Sequence, residues 1–226
     1  MINKTAILFF GIHYLENYTR FFDHNTNIIY NIDYKNSFYN YKSTLLKFFN
    51  NSDIFLSTND SKNVLELKED FNCLSCTVNN HYNNSEFRYK EAQDKLISGL
   101  DLILRHQVEN NVFYENIIIT RFDLLFMIAF ENVYIDYSKI NVVSDLQDGS
   151  ILEDNFYIIP GSFLNIFKNI IRNNPNRHDL KYQFEQHLGI NYLYRENVKW
   201  VKDLSFYKVY HYYNFDEYCK KVENNK

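Results

Sequence analysis

Apolar positions along this chain follow two rhythms. Short continuous runs punctuate the sequence: Thr5 to Phe10 (TAILFF), Asp53 to Ser57 (DIFLS), Leu74 to Val78 and Asn116 to Ile119. Runs of that length suit strands of a parallel sheet covered on both faces. Between them the apolar residues recur at helical spacing. Asn36 to Asn50 carries Phe38, Tyr41, Leu45, Leu46 and Phe49 on one stripe, and Ser61 to Asp70 reads as a short helix. The strongest helical pattern runs from Ser85 to Val108, with Ser85 as cap and Phe87, Ala92, Leu96, Leu100, Ile103 or Leu104, and Val108 on one face. Further on, Ile140 to Ser144 and Asn155 to Ile159 predict strands, Ser162 to Ile171 and Leu180 to Tyr194 helices, and Phe206 to Tyr212 a last strand.

Strands alternating with helices predict an α/β fold with a mostly parallel central sheet and helices on both faces. In such sheets ligands bind beyond the carboxyl ends of the strands. That rule selects three strand-end loops: Gly11 to Tyr14, Thr58-Asn59-Asp60, and Arg121 to Asp123. One pocket lined by all three is the expected ligand site.

Composition narrows the class. The 226 residues suffice for a sizeable core and are expected to form a single domain, with 4–212 as its body and 213–226 as a tail. Aromatics make up 18%, which argues against disorder, and 5 Gly with 2 Pro argue against a turn-rich β-sandwich. An Asn-, Ile-, Lys-, Tyr- and Phe-rich composition also points to an AT-rich genome. The net charge is −4 and no basic run occurs, so a nucleic-acid partner is not expected. Cys73, Cys76 and Cys219 do not make a disulfide framework, and the single CxxC lacks a second ligand pair at zinc spacing. Its two thiols are expected half-buried at a strand. A reducing, cytoplasmic setting is expected. The opening MINKTAILFFG does not read as a signal peptide, and no run is long enough for a transmembrane helix.

Candidate chemistry centres on Arg121 and Asp123. Their spacing puts them on one side of a strand. A buried Arg–Asp pair is costly without partners. At the edge of a cleft, Asp123 can hold a divalent cation and Arg121 can meet phosphate. Gly11 can let backbone approach a nucleotide, although neither GxGxxG nor a P-loop occurs. Among Asp145, Asp148, Glu153 and Asp154, the last directly precedes an apolar strand and is the best candidate base. Arg88, Lys90 and Gln93 open the long helix, whose N-terminal dipole favours anions. The seven His include no HExxH; His178 and His187 flank a helix beside Glu185.

The order FFGIHY, DIFLSTND, long helix, IIITRFDLLF, EDNFYIIP resembles small glycosyltransferases of the GT-A type over about residues 4 to 212. It looks most like the compact domains encoded by large DNA viruses of algae and amoebae, and related polysaccharide enzymes. In that family a DxD-like motif closes a central strand and holds a divalent metal, often Mn²⁺, on the pyrophosphate of a nucleotide sugar. The matching position here reads Arg121-Phe122-Asp123, with Arg in place of the first Asp. The resemblance therefore implies Asp123 as metal or ribose contact, with Mn²⁺ or Mg²⁺ as cofactor and Arg121 sharing the neutralisation of phosphate. It implies Gly11 and His13 in the loop cradling the nucleotide, Thr58, Asn59 and Asp60 near the base, and Asp154 facing the acceptor. The implied partners are a UDP- or GDP-sugar donor and a glycan or glycoprotein acceptor. Two alternatives stay open: a nucleotidyltransferase, and a non-catalytic nucleotide-sugar or carbohydrate-binding protein on the same scaffold.

Overall fold

The structure, a computed structural model, describes residues 4–22, 26–79, 88–124, 126, 129–144, 152–174 and 177–194. β1 (Thr5–Phe10) is buried along its whole length, as its unbroken apolar run predicts. Ala6, Leu8 and Phe10 enter one core and Ile7 and Phe9 the other, so the strand has protein on both faces. After β1 comes an antiparallel hairpin, β2 (Tyr14–Phe22) and β3 (Thr26–Asp33), which forms a sheet of its own. The apolar pattern had suggested no strands there.

α1 (Lys35–Ser43) and α2 (Leu45–Phe48) replace the single helix expected over Asn36 to Asn50. The break falls at Thr44, whose hydroxyl and that of Ser43 both donate to the Asn40 carbonyl. Such back-bonding competes with the helical ladder and bends it. β4 (Ser52–Asn59), α3 (Val64–Asp70), β5 (Ser75–Asn79), α4 (Arg88–Asn110) and β6 (Asn116–Arg121) follow. Asn72 and Asn111, just past α3 and α4, take positive φ of 46° and 51°. In a glycine-poor chain, Asn fills the left-handed position that ends a helix.

β7 (Ile140–Ser144) and β8 (Leu152–Pro160) precede α5 (Leu164–Asn173), α6 (Arg177–His187) and β9 (Ile190–Tyr194). The helix expected to run from Leu180 to Tyr194 stops at Gly189, which has φ +63°. The residues beyond it form β9, paired with β7. Val108, expected on the buried face of the long helix, is exposed; that face ends with Ile103 and Leu104. The strand expected at Phe206 to Tyr212 and the cap at Ser85 lie outside the described residues.

The main sheet has the order β5-β4-β1-β6-β8-β7-β9, with β8 alone running against the rest. α1, α2 and α3 contribute to the core on one face, and α4, α5 and α6 to the core on the other. The fold is thus α/β with a mostly parallel sheet and helices on both faces. From β1 the chain builds outward through β4 to β5, then returns through α4 to add β6 on the other side of β1. The order reverses between β1 and β6, and there the loops after two neighbouring strands diverge and leave a crevice. Phe10 and Arg121 are register partners at that edge.

Candidate functional site

The three loops selected from the sequence meet at the carboxyl edge of the sheet. Gly11, directly after β1, has φ +114°, a conformation that favours glycine, and no atom lies within 4 Å of where its Cβ would stand. The Gly11 N–H donates to the Ser57 carbonyl at 3.0 Å, and the Thr58 hydroxyl donates to the Gly11 carbonyl at 2.9 Å. His13 is fully enclosed. Its Nδ1 lies 2.6 Å from Thr58 Oγ1 and its Nε2 2.8 Å from Ser61 Oγ. Burial lowers its pKa to about 4, so the imidazole is neutral near pH 7. Asn59 donates from Nδ2 to the carbonyl of Tyr14 at 3.2 Å. His13, Thr58 and Asn59 thus bind the β1 and β4 loops to each other from inside, while Asp60 beside them is exposed. The Phe122 ring, 6.0 Å from that of His13, brings in the loop after β6.

Arg121 and Asp123 are together. Nε donates to Oδ1 at 2.7 Å and Nη2 to Oδ2 at 2.5 Å, a two-pronged pair with each side chain about one-third exposed. Arg121 Nη1 also reaches Asn155 Oδ1 at 3.3 Å. Because β8 runs antiparallel to β6, its beginning lies at this same edge, and Thr120 pairs with Phe156. That places the backbone of Asp154, one residue before Asn155, beside the Arg121 end of β6. The Asp154 side chain lies outside the described residues, as do Asp145 and Asp148. α4 runs against the parallel strands. Ser57, near the end of β4, bonds the carbonyl of Lys95 at 2.6 Å, whereas Asp53, near its beginning, faces His106. The first turn of α4, which begins with Arg88, therefore points toward the site edge; the side chain of Arg88 is likewise outside the described residues. His187 ends α6 just before β9 begins, at the opposite edge of the sheet, and does not join the site.

Sequence reasoning did not find the residues that hold the Arg121 loop. Ser37, Asn40 and Tyr41 lie at i, i+3 and i+4 on α1, hence on one helical face. The Ser37 hydroxyl donates to the Phe122 carbonyl. Asn40 donates to the Phe126 carbonyl at 2.9 Å and accepts from the Phe126 N–H at 2.6 Å, as a neighbouring strand would. Tyr41 donates to the Arg121 carbonyl at 2.6 Å and accepts from the Leu124 N–H at 2.9 Å. The signal was there in Ser37 and Asn40, two polar residues beside an apolar helical stripe.

Among the described residues no three His, Cys, Asp or Glu side chains come together as a metal-holding group. Both oxygens of Asp123 accept from a guanidinium, and a divalent ion placed there would meet that cation's charge. The described residues therefore do not fit a metal ion at Asp123 while the pair is formed. Cys73 and Cys76 are free and half-buried, and burial raises the pKa of both thiols, that of Cys76 to about 11. No described helix is long and apolar enough to cross a membrane.

Neither a protein-family model nor a curated protein sequence matches the chain. Among solved structures it is similar to a protein from Desulfovibrio desulfuricans G20 assigned as a nucleotide-diphospho-sugar transferase. That match has a TM-score of 0.46 at 4% identity, over 99% of this chain and 96% of the other. It is also similar to a protein from Bacillus anthracis assigned as a glucose-1-phosphate thymidylyltransferase. There the TM-score is 0.44 at 10% identity, over 84% of this chain and 86% of the other. Similarity at this level bears on neither substrate nor reaction.

Proposed function

We propose that this chain transfers a sugar from a nucleotide-diphosphate sugar, a UDP- or GDP-sugar, to a hydroxyl of a glycan or glycoprotein acceptor. The observation that supports this reading is the position of the Arg121–Asp123 pair, at the point where the strand order reverses and beside the open backbone of Gly11. The pair with Asp123 uses Nε and one N–H of Nη2, and the guanidinium carries further N–H groups on Nη1 and Nη2 that can meet oxygens of a diphosphate while Asp123 holds its orientation. When the acceptor oxygen bonds the anomeric carbon and the bond to the diphosphate oxygen breaks, negative charge grows on the leaving group. Arg121 would stabilise that charge. Asp154 is the candidate to take the acceptor's proton in an inverting transfer. Asp60 and Arg88 are candidate contacts to the nucleotide, and His13, Thr58 and Asn59 keep its cradle in shape.

The test is thermal unfolding against UDP, GDP, CMP, dTDP and the matching nucleotide sugars, with and without Mn²⁺. A ligand that binds only the folded state raises the melting temperature. A shift with one nucleoside diphosphate supports the reading, and a flat panel contradicts it. Product analysis then separates sugar transfer, which releases a nucleoside diphosphate, from nucleotidyl transfer, which releases pyrophosphate.

A further inference from the structure

The mechanism just proposed leaves α1 without a role, yet α1 makes the most specific contacts to the loop that carries Arg121 and Asp123. The hydrogen bonds just described go to backbone: the carbonyls of Arg121, Phe122 and Phe126 and the N–H groups of Leu124 and Phe126. They fix the path of the loop whatever its side chains are. Tyr41 stands out because its single hydroxyl bonds both ends of the four-residue turn from Arg121 to Leu124. Its ring is fully enclosed, edge-on to Phe9 at 5.0 Å and to Phe126 at 5.6 Å. The ring thus has no freedom to follow the turn if the turn moves.

We propose that Tyr41 is a positioning residue for the candidate site, its hydroxyl holding the turn so that the Asp123 carboxylate meets the Arg121 guanidinium in two-pronged register. Two hydrogen bonds set that register, and each side chain hangs from one end or the middle of the bridged turn. Burial, and next the charge of Asp123, raise the phenol's pKa, so the hydroxyl keeps its proton and remains a donor to the Arg121 carbonyl throughout the neutral range. The pairing can be tested without any ligand; only its consequence for nucleotide binding rests on the proposed function.

Two measurements on Tyr41→Phe test the assignment. The substitution keeps the packed ring and removes only the bridging oxygen. In nitrogen-resolved NMR of the unliganded protein, the Arg121 Nε–H should be a distinct, slowly exchanging signal in the native chain. In Tyr41→Phe it should move and broaden, while amides of Leu100 and Ile119 in the core stay in place. Titration with UDP and with GDP should then show binding weakened about tenfold, the scale of one to two lost hydrogen bonds. An unchanged Arg121 Nε–H signal overturns the proposal, whatever the titration gives. If that signal is lost and the native protein binds neither nucleotide, the positioning role stands and the proposed function fails. Should Tyr41→Phe not fold, hydrogen exchange in the native protein decides: the Leu124 amide, which donates to the Tyr41 hydroxyl, should exchange slowly, and rapid exchange there overturns the proposal.

Discussion

His13 and Thr58, forty-five residues apart, share a 2.6 Å hydrogen bond inside the edge of the sheet. Through it the loop after the first strand and the end of the fourth are held as one body. His13 is buried and neutral, with a pKa lowered to about 4 from 6.5. The unfolded chain takes up a proton below pH 6.5 and the native protein does not until about pH 4. This contribution to stability is therefore full above pH 6.5, falls as the pH drops toward 4, and is constant below. Its size is about 3 kcal/mol. Urea unfolding between pH 7.5 and 4 checks it: His13→Gln should flatten the slope in that window.

Gly161 shows a close approach of a different kind. A Cβ there would stand 1.7 Å from the carbonyl oxygen of Tyr114, and the Gly161 N–H donates to the neighbouring Glu115 carbonyl at 2.7 Å. Gly161→Ala forces backbone against backbone and should cost more than about 3 kcal/mol. Gly11→Ala meets no atom and carries only the strain of positive φ, about 1 to 3 kcal/mol. Denaturant midpoints should rank the two in that order.

Lys95 and Glu91 form an ion pair one turn apart on α4, with both side chains at most 5% exposed. Burial lowers the pKa of Lys95, and the Glu91 charge opposes that shift. Glu91→Ala leaves a buried ammonium without its carboxylate and should destabilise by about 3 to 5 kcal/mol. The double change Glu91→Leu with Lys95→Met removes both charges and should cost much less. Equal losses in equilibrium unfolding would contradict a coupled pair.

The thiols of Cys73 and Cys76 should be sluggish nucleophiles, because burial raises both pKa values and the thiolate is the reactive form. Alkylation at pH 8, followed by peptide mass analysis, should label both more slowly in the folded protein than in the urea-unfolded chain.

What could be read from the sequence follows from how local its cause is. β1 and β7 fall on their expected bounds: β1 is a nearly continuous apolar run, as a strand buried on both faces needs, and in β7 Ile140, Val142 and Val143 carry the pattern around the buried polar Asn141. The site edge was legible for the same reason: runs end where the chain leaves the sheet, at Gly11, Asn59 and Arg121. The hairpin β2–β3 was not. Tyr14–Phe22 interleaves Glu, Asn, Thr and Arg with aromatics and follows neither rhythm, and the pairing is irregular between Leu15 and Tyr18. β9 was read as helix because the apolar spacing continues past Gly189 and only the backbone turn there reveals the stop. The clamp of Ser37, Asn40 and Tyr41 on the Arg121 loop spans about eighty residues of sequence, and no local pattern carries that relation.

In the proposed transfer Arg121 supplies the positive charge that meets the nucleoside diphosphate. Its most direct test is calorimetric titration of UDP and GDP into the native protein and into Arg121→Ala, each with EDTA and with Mn²⁺. One nucleotide should bind the native protein in EDTA, and Arg121→Ala should lose that binding by at least about a hundredfold, the scale of two charge-assisted hydrogen bonds. Equal affinity of the two proteins, or binding that appears only with Mn²⁺, would contradict it.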